Sequence, residues 1–308
     1  MRRSNMSDKI KCLIIGGGPA GYTAAIYACR AALSPVLVEG PQPGGQLITT
    51  SKVENYPGFE NGIDAITLME NMRSQARNLG TTLLSGVAQS CDLIKRTVTL
   101  RNGDILEFQT LIIATGASAK YLGLESEKKF RGMGVSACAT CDGFFYKDKV
   151  VAVVGGGDSA CEEAMYLSGI ASKVYMIVRK DYLRASEAMK AKVMRIQNIE
   201  ILFDCTTKEI LGDAMGVNGV SLKRGNGEIF EIKIDGFFLA IGHHPNTEWL
   251  GGALALNEDG YIISDGVKTS KEGVFVAGDV RVTDFRQAIT AAADGCRAAL
   301  EAEKYIKN

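Results

Sequence analysis

The strongest constraint on the fold is a pattern that occurs twice, in which an apolar segment is followed by a glycine-rich turn and then by a helix-forming stretch. Residues 12–15 lead into the turn at residues 16–21, and residues 150–154 lead into the turn at residues 155–160. In both copies a second apolar segment follows the helical stretch. Strand, glycine turn, helix and strand within about thirty residues is the setting of a dinucleotide-binding fingerprint. The sequence therefore predicts two βαβ units, each able to hold a nucleotide.

Glycine has a specific role in such a turn. It lets the backbone turn tightly and approach a pyrophosphate, whose charge then lies against unpaired N–H groups at the start of the helix. One glycine turn of this kind also occurs for packing alone, whereas two turns in the same setting favour nucleotide binding. The candidate binding residues are Gly16, Gly18, Pro19, Ala20 and Gly21 in the first turn, and Gly155, Gly157, Asp158 and Ser159 in the second.

The residue at the end of each second strand distinguishes the two nucleotides. Glu39, eighteen residues after Gly21, places a carboxylate where it accepts hydrogen bonds from an adenosine ribose and repels a 2′-phosphate. In the second unit Arg179 takes this place and is followed by Lys180 and Arg184. Three cations favour the 2′-phosphate of NADPH, and a solvated basic turn is the alternative. Two nucleotides together indicate a flavin that is reduced by a nicotinamide, with FAD in the first unit.

Three further apolar segments complete the predicted architecture. Residues 111–116 and 238–242 are similar to each other and predict strands that return the chain to a sheet beside each nucleotide. Residues 274–279 predict another buried strand, which is followed by an alanine-rich helix starting near Arg286. The start of that helix can face the electron-rich edge of a flavin. The predicted fold class is α/β, with two Rossmann-like dinucleotide-binding domains.

Length and composition limit the classes of partner. A chain of 308 residues with 46% hydrophobic composition is long enough for two domains with buried cores. Lys plus Arg equals Asp plus Glu at 35 each, so no overall charge favours nucleic acid or an anionic membrane surface. The apolar runs are far shorter than the roughly 20 residues of a membrane-spanning helix, and no apolar segment follows Arg2 and Arg3 as in a secretory signal. We expect a soluble, cytoplasmic protein without a nucleic-acid or membrane partner.

Cysteine spacing separates one close pair from the rest. Cys138 and Cys141 form a C-x-x-C motif, which can make and break a local disulfide with little backbone change and whose thiolates attack other disulfides. Structural zinc is the alternative, but it needs four ligands. The sequence contains no second C-x-x-C and only two histidines, His243 and His244, which are adjacent. We therefore expect a redox-active pair and no metal. Six scattered cysteines are expected to be reduced and structural, namely Cys12, Cys29, Cys91, Cys161, Cys205 and Cys296.

The order of these motifs resembles that of the low-molecular-weight thioredoxin reductases along nearly the whole chain. The segments that carry the resemblance are residues 16–21, 44–47, 53–58, 114–117, 138–143, 155–160, 178–185, 278–279 and 286–288. The resemblance implies thioredoxin as the protein substrate and a homodimer as the assembly. It also implies that the FAD domain is split between residues 1–117 and 248–308, with the NADPH domain at residues 118–247 inserted between the two parts.

The resemblance further implies roles for individual residues. Cys141 is expected to face the flavin, Cys138 to attack the disulfide of thioredoxin, and Asp142 to move protons during the exchange. Phe144 and Phe145 are expected in the thioredoxin contact surface, with core packing as the alternative. The family motifs add FAD contacts at Gly45, Gln46, Leu47, Asn55, Ala114, Thr115, Gly116, Gly278, Asp279, Arg286, Gln287 and Ala288.

Three positions depart from the family pattern in ways that affect binding. Val178 stands where many bacterial relatives have histidine, and Lys180 stands where they have a second arginine. The site keeps its positive charge but loses one bidentate contact, so the expected affinity for NADPH is lower. Met133 replaces the arginine that some relatives carry upstream of the cysteine pair. This replacement leaves open which thioredoxin is preferred.

Four other functions share parts of this pattern. A ferredoxin-fed reductase or an oxygen-dependent dithiol oxidase of the same architecture needs no nicotinamide site, so bleaching of the flavin by NADPH distinguishes them. A peroxiredoxin-reductase flavoprotein normally carries an additional N-terminal dithiol domain, for which the segment before Gly16 is too short. A non-catalytic protein on the same scaffold is expected to lose the redox chemistry first, whereas Cys138, Cys141 and Asp142 are all present.

Overall fold

The computed structural model describes residues 9–50 and 52–308. The prediction that no secretory signal follows Arg2 and Arg3 concerns residues that lie, for the most part, outside these ranges. The helices are α1 (Pro19–Arg30), α2 (Ala65–Asn78), α3 (Glu125–Lys129), α4 (Ala139–Asp142), α5 (Asp158–Ser168), α6 (Glu187–Val193) and α7 (Ala288–Lys307). Short 3₁₀ helices occur at Gly45–Thr49, Gly143–Tyr146 and Glu248–Leu250. No helix among the described residues is long and apolar enough to cross a membrane.

The strands are numbered along the chain. They are β1 (Ile10–Ile15), β2 (Val36–Val38), β3 (Lys52–Val53), β4 (Ile63–Asp64), β5 (Thr82–Leu84), β6 (Ala88–Asp92), β7 (Thr97–Leu100), β8 (Ile105–Ile113), β9 (Ala117–Ala119), β10 (Val135–Ser136), β11 (Val150–Val154), β12 (Lys173–Ile177), β13 (Ile199–Leu202), β14 (Cys205–Asp213), β15 (Gly216–Arg224), β16 (Ile229–Ile232), β17 (Gly236–Leu239), β18 (His243–Pro245) and β19 (Val274–Val276).

The chain divides into two compact units. The first comprises residues 1–118 and 244–308, and the second comprises residues 119–243. The short strands β9 and β18 lie in the two segments that connect the units, and they pair with each other. The first unit is therefore discontinuous in sequence.

A seven-stranded sheet forms the centre of the first unit. Its order is β5-β2-β1-β8-β7-β6, and β19 pairs with the end of β8. The pairs of β1 with β2 and β8, and of β8 with β19, are parallel, whereas β6 and β7 are antiparallel. Four consecutive residues of β1, Cys12 to Ile15, are buried, because side chains on both faces of a parallel sheet are covered.

Two helices of the first unit approach each other unusually closely. Pro19 is the first residue of α1, where its fixed φ suits a helix start. In α7 a Cβ atom on Gly295 would lie 2.1 Å from the carbonyl oxygen of Ala20, so only glycine permits this packing. Gln287 and Thr290 form a capping box at the start of α7, which satisfies N–H groups in its first turn. The close contact at Gly295 holds the N-terminal part of α1 against α7.

The second unit contains the second βαβ unit predicted from the sequence, formed by β11, α5 and β12. Its parallel sheet has the order β10-β17-β11-β12-β13. A separate antiparallel sheet has the order β14-β15-β16. The predicted α/β class and both predicted βαβ units are thus confirmed.

Candidate active site

The first glycine turn has the geometry that a dinucleotide requires. Gly16 has a φ of +118°, and a Cβ atom there would lie 2.1 Å from the carbonyl oxygen of Ala114. A Cβ atom on Gly21 would lie 1.8 Å from the carbonyl oxygen of Gly16. Gly18 has no neighbouring heavy atom within 4 Å of such a Cβ position. The backbone geometry therefore demands the first and third glycines, and the open side of Gly18 leaves space for a phosphate to approach.

Two loops lie beside this turn. The amide of Gly44 donates a hydrogen bond to the carbonyl oxygen of Gly17 at 2.7 Å, which brings Gly45, with a φ of +64°, and the 3₁₀ helix containing Gln46 and Leu47 next to the turn. The second loop contains Gly278, whose Cβ position would lie 3.1 Å from the Cβ of Ala20 and 3.4 Å from that of Ala291. The Gly278–Asp279 turn therefore lies where the first turns of α1 and α7 meet.

Glu39 is buried at the end of the second strand and is held by two side chains. Its Oε1 accepts a hydrogen bond from the hydroxyl of Tyr22 at 2.8 Å and one from Nε of Arg73 at 2.6 Å. Nη2 of Arg73 donates to Oε2 at 3.0 Å. Burial alone would raise the pKa of Glu39, but the hydrogen bonds from Arg73 and Tyr22 outweigh it and the pKa is lowered. Glu39 is therefore ionised and fixed in orientation, which suits an acceptor for ribose hydroxyls.

Several predicted FAD residues that are distant in sequence lie together in the first unit. Nδ2 of Asn55 donates a hydrogen bond to Oε1 of Gln287 at 3.2 Å across 232 positions of the sequence. The hydroxyl of Thr115 donates to the carbonyl oxygen of Asn246, and Nδ2 of Asn246 donates to the carbonyl oxygen of Thr115, each at 2.8 Å. Gly116, with a φ of +66°, follows directly. These bonds attach the N-terminal part of the unit to its C-terminal part.

Asp279 and Arg286 provide the test of whether a flavin nucleotide fits this unit. Burial raises the pKa of Asp279 to about 6, with the charge of Arg286 opposing the rise. Nε of Arg286 is buried and has no hydrogen-bond partner among the described residues. Buried polar atoms are nearly always paired in native proteins. A polar ligand with hydroxyl and carbonyl groups, such as FAD, supplies the missing partners, so these residues fit the cofactor.

A partly buried ion pair between Arg281 and Asp294 supports the backbone of the Gly278–Asp279 turn. Oδ2 of Asp294 on α7 accepts a hydrogen bond from Nε of Arg281 at 2.8 Å and one from the amide of Gly278 at 3.2 Å. Nη2 of Arg281 donates to Oδ1 of Asp294 at 3.2 Å. Asp294 thereby fixes the backbone immediately before Asp279.

The second glycine turn repeats the geometry of the first. Gly155 has a φ of +147°, and a Cβ atom there would lie 2.4 Å from the carbonyl oxygen of Ala240. Gly157 precedes α5 and has no heavy atom within 4 Å of its Cβ position. At the third position of the fingerprint stands Ala160, which is buried. Because the open glycine again adjoins a helix start, this turn also fits a pyrophosphate.

The predicted phosphate-binding cations are exposed and lie close to the second turn. The amide of Arg184 donates a hydrogen bond to the carbonyl oxygen of Gly156 at 2.6 Å, which folds residues 179–184 back onto the turn. Arg179, Lys180 and Arg184 are exposed, as a 2′-phosphate site requires. Val178 is buried instead, with its Cγ1 3.0 Å from the Cβ position of Gly156. Its contribution is packing beneath the turn.

The two polar candidates at the start of α5 differ in their contacts. Oδ1 of Asp158 accepts hydrogen bonds from the amide and the hydroxyl of Ser186, at 3.0 and 2.8 Å, and these bonds lower the pKa of Asp158. Asp158 thus connects the start of α5 to the residue that precedes α6. Ser159 is exposed, so its hydroxyl is accessible at the first turn of α5.

Cys138 and Cys141 are joined by a disulfide, with their Cα atoms 5.3 Å apart. Cys138 precedes α4, and its carbonyl oxygen accepts hydrogen bonds from the amides of Cys141 and Asp142, each at 3.2 Å. The amide of Cys138 donates to the hydroxyl of Ser136 at 3.1 Å. Cys141 is exposed and Cys138 is half-buried. The pair therefore has the accessibility and the local turn that thiol-disulfide exchange requires.

The remaining cysteines form no disulfide. All six are free thiols, and Cys12, Cys161 and Cys205 are buried. Burial raises the pKa of Cys12 to about 12 and that of Cys91 to about 11, which makes both poor nucleophiles.

Sequence reasoning missed three side chains that support the site. Arg73 pairs with Glu39, Asp294 supports Gly278, and Glu163 on α5 accepts a hydrogen bond from the amide of Ala139. A charged residue within an otherwise small and apolar helix stretch, as in residues 291–295, was an available signal for Asp294. No local pattern distinguishes Arg73 from its exposed neighbours on α2.

Comparison with known proteins gives a consistent result. The pyridine nucleotide-disulphide oxidoreductase family matches residues 10–295. A thioredoxin reductase of Vibrio cholerae is 50% identical over 308 residues, which covers 96% of each chain. A protein of Pseudomonas fluorescens named glucosaminate ammonia-lyase is 48% identical over 307 residues, covering 96% of this chain and 95% of the relative. The solved structure of a thioredoxin reductase from Giardia duodenalis superimposes with a TM-score of 0.92 at 43% identity, covering 96% of this chain and 98% of that one.

With two dinucleotide turns and one C-x-x-C disulfide, the chain belongs to the pyridine nucleotide-disulphide oxidoreductase family. Within that family its sequence and fold are those of the low-molecular-weight thioredoxin reductases. It is accordingly a flavoprotein oxidoreductase with FAD and NADPH as cofactors.

Proposed function

We propose that this chain reduces the disulfide of thioredoxin with electrons from NADPH. The observation that carries the proposal is the accessible Cys138–Cys141 disulfide, which lies in the same unit as a glycine turn flanked by three exposed cations. A ferredoxin-fed reductase or an oxygen-dependent oxidase has no use for such a phosphate site. The thioredoxin reductases at about half identity over nearly the whole chain support the same activity.

The first unit would hold FAD. The pyrophosphate would lie against Gly18 and the start of α1, and the ribose would be bound by Glu39. Asp279, Arg286 and the Asn55–Gln287 pair would bind the polyol and the ring. When bound, FAD supplies the two-electron chemistry that connects a nicotinamide to a disulfide. The further predicted contacts are Gly16, Pro19, Ala20, Gly21, Gly45, Gln46, Leu47, Ala114, Thr115, Gly116, Gly278 and Ala288.

The second unit would hold NADPH. Its pyrophosphate would lie against Gly157 and the start of α5, where Gly155 provides the turn and Ser159 a hydroxyl donor. The 2′-phosphate would be bound by Arg179, Lys180 and Arg184, and a guanidinium grips a phosphate bidentately where an ammonium does not. Asp158 would act by fixing Ser186 rather than by touching a phosphate, because carboxylate and phosphate repel each other.

The dithiol would carry the electrons to the protein substrate. Two electrons and one proton convert the disulfide into one thiol and one thiolate. The thiolate of Cys138 then attacks the substrate disulfide, which forms a mixed disulfide and releases one substrate thiolate. The thiolate of Cys141 attacks that mixed disulfide, which restores the Cys138–Cys141 bond and frees the second substrate thiol. Asp142, on the same short helix, is placed to give a proton to the leaving thiolate and to accept one from the attacking thiol.

The surfaces of each unit support two further parts of the proposal. Phe144 and Phe145 are exposed directly after the dithiol, as a docking surface for thioredoxin requires. On the first unit three large apolar side chains are exposed, namely Tyr27 on α1, Ile66 on α2 and Leu79 directly after α2. Exposed apolar side chains of this kind suit burial in a homodimer. We place the protein in the cytoplasm, where a thioredoxin system keeps thiols reduced.

The test is NADPH-dependent reduction of a panel of thioredoxins by the purified holoenzyme. We expect turnover with wild-type protein, none with Cys138→Ser or Cys141→Ser, and strongly reduced turnover with Asp142→Asn. Bleaching of the flavin by NADPH without reduction of any thioredoxin would reject the substrate while keeping the class of enzyme. Analytical ultracentrifugation checks the dimer, and a monomer at micromolar concentration would reject it.

The relative named glucosaminate ammonia-lyase defines the control substrate. Release of ammonia from glucosaminate requires no dithiol, whereas this chain keeps both cysteines and Asp142. We therefore expect no ammonia release by the purified protein. Ammonia release that survives in Cys138→Ser would show that the disulfide is not the centre of the activity.

A further inference from the structure

The half-buried side chain of Glu163 lies directly behind the disulfide turn. Glu163 on α5 accepts a hydrogen bond from the amide of Ala139, the residue that follows Cys138 and begins α4. Its Oε2 atom is buried and has no hydrogen-bond partner among the described residues. The two helices are in direct contact, because a Cβ atom on Gly143 would lie 3.0 Å from Leu167 and 3.1 Å from Tyr166 of α5. Glu163 therefore holds the backbone of the C-x-x-C segment from inside the unit.

The charge of this carboxyl group is poorly compensated. Burial raises the pKa of Glu163 to about 7, the hydrogen bond from Ala139 opposes the rise, and the negative charge of Glu162 adds to it. No cation contributes to the shift of this pKa. The titratable side chains on the elements packed against α5 are Cys138, Cys141 and Asp142 at α4, Tyr146 in the following 3₁₀ helix, Glu187, Lys190 and Lys192 on α6, Lys173 and Tyr175 on β12, and Glu200 on β13, whereas β11 carries none.

Reduction of the disulfide changes the electrostatic surroundings of Glu163. The disulfide is uncharged, whereas the reduced pair carries a thiolate at neutral pH when one thiol pKa is depressed. A second negative charge close to a poorly solvated carboxylate disfavours its ionised form, and the two groups then titrate as a coupled pair. The carboxyl group therefore binds a proton more strongly when the cysteines are reduced.

We propose that Glu163 positions the Cys138–Cys141 turn and takes up a proton when the disulfide is reduced. Reduction consumes two electrons and two protons. It converts the disulfide into one thiol and one thiolate and the carboxylate of Glu163 into a protonated carboxyl group, so the total charge of the two cysteines and Glu163 is unchanged. The proton returns to solvent when the pair is oxidised by the substrate. Glu163 acts through the Ala139 amide and through its charge, so it is a positioning residue. The electrons come from NADPH through FAD, and the inference rests on the proposed function only for the identity of the final acceptor.

Two substitutions separate the hydrogen bond from the charge. Glu163→Gln keeps an oxygen acceptor for the Ala139 amide but does not titrate, whereas Glu163→Ala removes both properties. Glu127→Gln is the control, because Glu127 is a buried glutamate of the second unit whose two oxygens accept hydrogen bonds from the amides of Leu122 and Gly123 rather than from the C-x-x-C segment. It reports the general cost of removing the charge of a hydrogen-bonded glutamate in this unit.

The first experiment counts protons bound when the holoenzyme is reduced electrochemically in weak buffer. Wild type is expected to bind up to one proton more than Glu163→Gln at about pH 8, and equal numbers are expected at about pH 5.5, where Glu163 is protonated in both redox states. The flavin contributes equally in every variant, and Glu127→Gln should match wild type. Equal uptake by wild type and Glu163→Gln across this range, or the same loss in Glu127→Gln, would overturn the proton role.

The second experiment measures the rate at which the reduced pair is alkylated by iodoacetamide. Above about pH 8 the carboxylate of Glu163 in wild type opposes ionisation of the attacking thiol, so the rise of the alkylation rate with pH should occur at lower pH in Glu163→Gln. At pH 7 the two rates should be similar, because Glu163 of the reduced enzyme is protonated there. Glu163→Ala should have slower reoxidation by a small aromatic disulfide, and Glu163→Gln should restore that rate. If both variants reoxidise at the wild-type rate, the positioning role is wrong. Neither experiment uses thioredoxin, so a failure of the proposed substrate leaves their outcomes interpretable.

Discussion

Removal of the Arg73 side chain should lower the free energy of unfolding of the first unit, because its guanidinium group holds the buried carboxylate of Glu39. Arg73→Met keeps the length and much of the apolar part of the side chain but removes two of the three hydrogen bonds to Glu39, those from Nε and Nη2. The bond from Tyr22 remains. Glu39 is only 4% exposed, so water cannot replace the lost donors. The substitution leaves a buried carboxylate with one hydrogen-bond donor and, as opposing charge, only the weaker contribution of Arg77.

The size and the pH dependence of the effect follow from this geometry. Removing one partner of a buried ion pair costs about 3–5 kcal/mol. The side chain of Arg73 is 24% exposed and Tyr22 is retained, so we expect the lower end, about 3 kcal/mol. In wild type the pKa of Glu39 is below its usual value, so this pair stabilises the protein above the unfolded pKa and loses its effect as pH falls through the folded pKa. In Arg73→Met burial dominates and the pKa of Glu39 rises, so the destabilisation should shrink as pH falls toward about 4.

Urea unfolding of wild type and Arg73→Met, followed by far-UV circular dichroism at pH 8 and pH 5, measures the difference. Arg77→Met is the comparison, because Arg77 lies on the same helix, is exposed, and lowers the pKa of Glu39 through its charge alone, so a change of less than about 0.5 kcal/mol is expected. The reasoning is refuted if Arg73→Met and Arg77→Met unfold at the same urea concentration at pH 8. It is also refuted if the loss in Arg73→Met grows as the solution is made more acidic.

Three further predictions concern the cofactors. The purified protein should be yellow and release FAD rather than FMN on denaturation, as chromatography of the released flavin will show, and a colourless protein that takes up no FAD would contradict the assignment of the first unit. The double substitution Arg179→Ala and Arg184→Ala should remove most of the preference for NADPH over NADH while the flavin stays bound, since each 1.4 kcal/mol of lost contact weakens binding about tenfold. An unchanged ratio of kcat/KM for the two nucleotides would mean that the 2′-phosphate binds elsewhere. Position 157 has an unstrained backbone and an open Cβ position, so Gly157→Ala should fold normally and keep its FAD. It should bind NADPH more than tenfold more weakly, because the new methyl group lies where the pyrophosphate approaches. Wild-type affinity in isothermal titration would place the nucleotide away from this turn.

Features that depend on neighbouring residues could be predicted from the sequence. The glycines at 16, 18 and 21, and those at 155 and 157, impose a tight turn between a strand and a helix wherever the surrounding pattern supplies both elements. The C-x-x-C spacing similarly brings Cys138 and Cys141 within disulfide distance through one helical turn. In each case the spacing along the chain determines the distance in space, so the pattern alone predicts the local structure.

Features that join distant segments required the tertiary structure. Arg73 meets Glu39, Asn55 meets Gln287, and Glu163 meets the amide of Ala139 because sheet order and helix packing bring their elements together. A charged side chain on a helix has no local signal that names its partner. The sequence by itself therefore determined the two nucleotide turns, the dithiol and the α/β class. Only the tertiary structure decided which buried charges are neutralised, as Glu39 is by Arg73, and which remain poorly compensated, as Glu163 does, because the cost of a buried charge depends on neighbours that the order of residues does not reveal.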